Sequence, residues 1–172
     1  MKISTRQLAK AGLLIAISVI FTRLFSFRLT PVLRIGFGQL PIILAGITLN
    51  PLLGFTVGVL ADLSGFMINS MGGMFIPGLT LSAGLCGLIP GLVYQRLKKK
   101  PKVAVWLSVS INALVVNALI NTYWLSLYIG SFSFMAALPM RVINHLIMIP
   151  INSILAITLL KTPVFKDIKI NK

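Results

Sequence analysis

Arg141, Asn144 and His145 stand at i, i+3 and i+4 in Leu138-Pro139-Met140-Arg141-Val142-Ile143-Asn144-His145. On a helix that spacing puts all three side chains on one face. A guanidinium, an amide and an imidazole side by side can hold a carboxylate and a ring carbonyl. His145 alone also reads as a packing residue of an apolar helix. A second face is formed by Asn117, Asn121, Trp124 and Tyr128, at steps of four, three and four. Asn side chains in lipid need a partner, either another helix or a ligand. Trp124 can stack on a flat ligand, and Trp124 and Tyr128 also fit an interfacial aromatic belt. Asn112 and Asn152 read as links between helices. Asp62 lies in the apolar run Val59-Leu60-Ala61-Asp62-Leu63-Ser64-Gly65. An intramembrane carboxylate marks a function or an anchored partner. Here it is expected to be a structural polar group, paired with an arginine or bonded by backbone and Ser64.

These residues need helices to carry them. The sequence predicts six, over 6–27, 39–49, 52–68, 76–97, 103–128 and 139–160, with a loop over 28–38. The second is short, about 16 Å against a hydrocarbon core of about 30 Å, and is expected as a half-span or a tilted segment. The turn Asn69-Ser70-Met71-Gly72-Gly73 separates the third from the fourth. The fold class is therefore all-α: one transmembrane bundle, 1–172, with a polar tail over 161–172. Composition agrees. The chain is 57% hydrophobic and 10% charged, too apolar for a small soluble domain to bury.

Sixteen Lys and Arg face only Asp62 and Asp167, for a formal net charge of +14. The excess suggests nucleic-acid binding less than membrane topology, because the cations sit at the ends of apolar segments. With the N-terminus inside, twelve cations fall at inner ends, including the run Lys98-Lys99-Lys100. Both termini are then cytoplasmic. The outer half keeps Arg23, Arg28, Arg34 and Arg141 and no lysine. Arginine presents a planar fork that matches carboxylates. Four outer guanidinium groups beside one candidate acid call for an anion from outside, unless they snorkel to lipid phosphate.

No GxxxxGK[ST] loop, HExxH or GxSxG motif is present, and Cys86 is the lone cysteine. Two acids leave carboxylate-based hydrolysis without residues. The expectation is a binding protein, not an enzyme, with no cofactor and no metal. Small residues recur at four-residue spacing: Gly54 and Gly58, Gly87 and Gly91, Gly12 and Ala16. Such pairs let helices approach closely. The first two read as packing inside the chain, and Gly12 with Ala16 as a docking surface for a partner protein.

Arg34-Ile35-Gly36-Phe37-Gly38-Gln39-Leu40-Pro41 resembles the first-loop motif of the folate-type substrate-binding subunits (S components) of energy-coupling factor transporters. Ala61-Asp62-Leu63, followed by Gly73-Met74-Phe75-Ile76-Pro77-Gly78-Leu79-Thr80-Leu81-Ser82-Ala83, is similar to their helix three to helix four signature. Met74-Phe75-Ile76 departs from it, where two aromatics are expected near Ile76-Pro77. The likeness runs from Gln7 to about Lys161. It implies six helices in a prokaryotic cell membrane and one vitamin bound near the outer face. It also implies docking through Gly12 and Ala16 on a transmembrane coupling subunit that carries two ATPase subunits. Release is expected by toppling in the membrane. The implied ligand is folate, as cargo. Its pterin would stack on Phe37, Phe75 or Trp124 beside Gly38 and bond to Asn121 or Asn144, with His145 near. Its glutamate tail would meet Arg34 or Arg141. The alternatives are a subunit for another vitamin or a stand-alone ion-coupled transporter.

Overall fold

The computed structural model describes residues 4–23, 27–28, 34–70, 73–129 and 133–162. Six helices organise them: α1 (Thr5–Arg23), α2 (Gln39–Thr48), α3 (Pro51–Ile68), α4 (Pro77–Arg96), α5 (Pro101–Tyr128) and α6 (Phe134–Leu160). All but α2 are long and apolar enough to cross a membrane. The tail after residue 162 lies outside the described residues.

α2 has ten residues, a rise of about 15 Å, half the hydrocarbon core. Every residue from Leu40 to Ile47 is buried. Packed among α1, α3, α4 and α6, this half-length helix is buried by protein along its body, as a segment too short to span requires. Asn50-Pro51, read as a helix stop, also starts the next helix. Asn50 Oδ1 accepts from the Leu53 N–H at 2.7 Å, and Pro51 takes the first turn, where a missing N–H costs nothing.

Glycines bring α2, α3 and α4 into backbone contact. A Cβ built on Gly87 would stand 2.0 Å from the Gly54 carbonyl oxygen, and one on Gly58 would stand 2.0 Å from that of Ala83. Only a missing side chain permits such approach.

Three elements differ from the sequence-based expectation. The first helix ends at Arg23, and Phe27–Arg28 pairs antiparallel with Arg34–Ile35 where a helix end and a loop were expected. Two-residue strands carry no periodicity to read. α6 begins at Phe134, five residues before Pro139. Proline at 139 forfeits only a bond to the Met135 carbonyl, in the exposed first turn. In α5 the residues Asn112–Ile120 are π-helical. There Asn112 Nδ2 donates to the Cys86 carbonyl at 2.8 Å. Pro90, inside α4, cannot supply an N–H to that carbonyl. Asn112 thus satisfies a group that lipid could not, and its reading as a link between helices holds.

Candidate ligand-binding site

One end of the bundle holds a cavity of about 750 Å³. Its walls come from the end of α1, the start of α2, the end of α3, the start of α4, the end of α5 and the start of α6. The other end carries Arg6, Lys10, Arg96, the Lys98-Lys99-Lys100 run, Lys102 and Lys161. Cavity and cationic end are therefore opposite, because successive spanning helices reverse direction.

α6 supplies a continuous stripe of cavity lining: Arg141, Asn144, His145, Met148 and Asn152. From Arg141 to Asn152 the axis rises about 16 Å, so the lining reaches well into the membrane. Arg141 Nη1 donates to Thr122 Oγ1 at 3.2 Å and to the Asn117 carbonyl at 3.4 Å. The guanidinium thereby ties α6 to the π-helical part of α5 while lining the cavity.

α5 contributes Asn117, Asn121, Leu125 and Tyr128. Asn117 forms a reciprocal amide pair with Gln39. Gln39 Nε2 donates to Asn117 Oδ1 at 2.5 Å, and Asn117 Nδ2 donates to Gln39 Oε1 at 2.8 Å. Asn117 Nδ2 also reaches the Asn112 carbonyl at 2.9 Å, and Asn121 Nδ2 donates to Asn117 Oδ1 at 3.0 Å. This network fixes which atoms of Asn121 are spent: among the described residues its Oδ1 has no hydrogen-bond partner. Neither does Oδ1 of Asn152. Asn152, read from sequence as a helix link, is instead a cavity residue.

Asp62 lines the cavity, and its Oδ2 accepts from Thr80 Oγ1 at 2.7 Å. Ser64, an expected partner, donates to the Leu60 and Ala61 carbonyls instead. In a helix a serine back-bonds its own turn more readily than it reaches two residues away. Arg23 lines the cavity too, its side chain lying across Gly65 at 3.0 Å from where a Cβ would be.

Gly38 joins the lining at the start of α2. Ser18 Oγ donates to its carbonyl at 2.7 Å, and a Cβ there would strike Thr22. Close approach to α1 requires glycine at this position.

The aromatic wall is Phe66 with Phe75, ring centroids 5.2 Å apart at 59°. Phe37 and Trp124, expected as stacking surfaces, are placed elsewhere. Phe37 packs on the apolar cluster of Leu40, Ile43, Val105 and Leu160. The Trp124 ring fills the space over Gly78, 2.0 Å from where a Cβ would stand. Apolar neighbours distant in sequence claimed both rings. The Arg34 side chain lies outside the described residues, with only its backbone pairing to Arg28 on the page. Sequence reasoning missed Gln39, Thr22, Phe66 and Met148. Gln39 sits inside the quoted loop motif, so its polarity next to a buried helix was an available signal.

Gly12 and Ala16 fall outside the site. Both are exposed on α1, and a Cβ on Gly12 would meet nothing within 4 Å.

Five apolar spans around a half-length helix, with a polar cavity at one end, define a membrane-embedded solute-binding protein. The family profile "ECF transporter, substrate-specific component" matches residues 6–160, and the chain belongs to that family. It is thus a transporter component, not an enzyme. It is 37% identical over 141 residues to a Folate transporter FolT of Clostridium novyi, covering 82% of this chain and 80% of that protein. It is 30% identical over 154 residues to a Folate transporter FolT of Leuconostoc mesenteroides subsp. mesenteroides, covering 87% and 82%. A crystal structure of FolT bound with folic acid superposes with a TM-score of 0.78 at 32% identity, over 91% of this chain and 93% of that one. The S component of a bacterial ECF transporter shares the fold, with a TM-score of 0.63 at 22% identity, over 89% and 92%.

Proposed function

We propose that this chain captures folate at the outer face of a prokaryotic cell membrane and delivers it to an ATP-driven coupling module. The observation that carries the reading is the 750 Å³ cavity, where Arg23 and Arg141 share walls with Asn121, Asn144, His145 and the Phe66–Phe75 pair. Its volume suits a drug-sized ligand. Cations suit the carboxylates of a glutamate tail, and the aromatic wall with its amides suits a flat, hydrogen-bonding ring. The likeness to folate transporters supports the same ligand. Folate is cargo here, not a cofactor.

Both termini face the cytoplasm in this reading, since Lys98-Lys99-Lys100 and the other clustered cations stay inside. Gly12 and Ala16, with exposed Leu8 and Leu13 beside them, form the surface offered to the coupling subunit, which carries two ATPase subunits.

Calorimetric titration of the purified protein with folic acid, riboflavin, thiamine and biotin tests the ligand. Folic acid is expected to bind and the other three to give no heat. Binding of another vitamin in its place reassigns the cargo. Reconstituted alone in vesicles, the protein is expected to bind folate without concentrating it, even under an ion gradient; accumulation would make it an ion-coupled transporter.

A further inference from the structure

A recess of about 190 Å³ adjoins the cavity and shares Arg23, Gln39, Asp62, Asn117 and Asn121 with it. Its polar chemistry is mixed. Asp62 spends Oδ2 on the Thr80 hydroxyl, and among the described residues its Oδ1 accepts no hydrogen bond. Asn121 donates an amide N–H to Asn117, and among the described residues its Oδ1 has no partner. The recess therefore holds two acceptors, a carboxylate oxygen and an amide oxygen, without described protein donors. The Asn121 oxygen is shut off from solvent, where an unmet acceptor is costly, so a ligand that brings a donor to it gains.

We propose that Asp62, with Asn121 beside it, is the specificity-determining residue for the ring end of the ligand. It accepts from a planar edge carrying a ring N–H next to an exocyclic NH₂. That edge is the amino-oxopyrimidine half of a pterin, so the proposal rests on the folate reading and deepens it. Two N–H groups on one carboxylate make charge-assisted bonds, stronger than neutral ones and fixed in direction. Thr80 holds the carboxylate plane through one lone pair of Oδ2 and leaves Oδ1 and the other lone pair of Oδ2 for the two N–H groups of the ring. Arg23 lines the same recess, so the ring meets a guanidinium as well as acceptors, as an edge with both N–H groups and a carbonyl requires. A ring without the amino group offers the carboxylate one donor instead of two, and sites built to bond a substrate N–H reject analogues that lack it.

Calorimetric titration decides, using folic acid and an analogue with methyl in place of the pterin amino group. The unaltered protein is expected to bind the analogue at least tenfold more weakly. Asp62→Asn is expected to weaken folic acid at least tenfold and the analogue, which keeps only the ring N–H, by clearly less, narrowing the gap between the ligands. Equal binding of both ligands by the unaltered protein overturns the assignment, and so does an equal loss for both in the variant. Should Asp62→Asn fail to fold, the two ligands on the unaltered protein decide alone. No binding of folic acid by the unaltered protein overturns the folate reading itself, and this proposal with it.

Discussion

Arg141 holds two helices together and lines the space between them, so its replacement tests both roles. Its Nη1 reaches Thr122 and the Asn117 carbonyl across the gap from α6 to α5. Arg141→Ala is expected to weaken folate binding at least tenfold, about 1.4 kcal/mol, by calorimetric titration. Arg141→Lys keeps the charge but loses the fork, so it should fall between the two. Unchanged affinity in both variants would remove Arg141 from the site. Its grouping with Asn144 and His145 was legible in sequence, because three residues on one turn share a face whatever packs against them. The fate of Trp124 was not. Whether an indole stacks on a ligand or fills a gap depends on Gly78, forty-six positions away and on another helix. Phe37 failed in the same way, since residue type cannot distinguish a core ring from a ligand-facing one.

At the scale of helices, one substitution at two glycines should give opposite results. Gly87→Val drives a Cβ into the Gly54 carbonyl, and backbone cannot yield as a side chain can. The expected cost is about 1–3 kcal/mol, read as a lower melting temperature in detergent. Gly12→Val meets nothing within 4 Å, so melting and folate affinity should stay as they were. The same change roughens the proposed docking surface, and co-purification with the coupling module is expected to fall. Retained docking would move the interface off Gly12. Four-residue spacing marked both pairs as candidates for close helix contact, but only the Gly87 contact lies inside the bundle. The π-helical stretch stayed hidden for a related reason. It forms where Asn112 turns toward a carbonyl that Pro90 leaves open on another helix, and no window along one helix contains both partners. Five of the six apolar segments were plain because each is long by itself, and the short α2 because Asn50-Pro51 marks its end. The Phe27–Arg28 ladder was not, being two residues long.

Across the whole molecule, clustered lysines and the cavity lie at opposite ends of the bundle. If clustered lysines stay inside, the cavity opens outward and can be loaded before any ATP is spent. Cysteine labelling reads this directly. The native Cys86 is buried, so its background reaction with an impermeant maleimide should be small. Met74 is exposed and lines the cavity mouth, while Lys99 is exposed at the opposite end. In intact cells the reagent is expected to label Met74→Cys and to spare Lys99→Cys until the membrane is permeabilised. Folic acid should slow labelling at Met74→Cys, because ligand and reagent compete for one space, and should leave Lys99→Cys unaffected. The inverse pattern would place the cavity on the cytoplasmic side. Capture from outside would then be untenable, and the guanidinium groups at that end would need an intracellular anion to explain them.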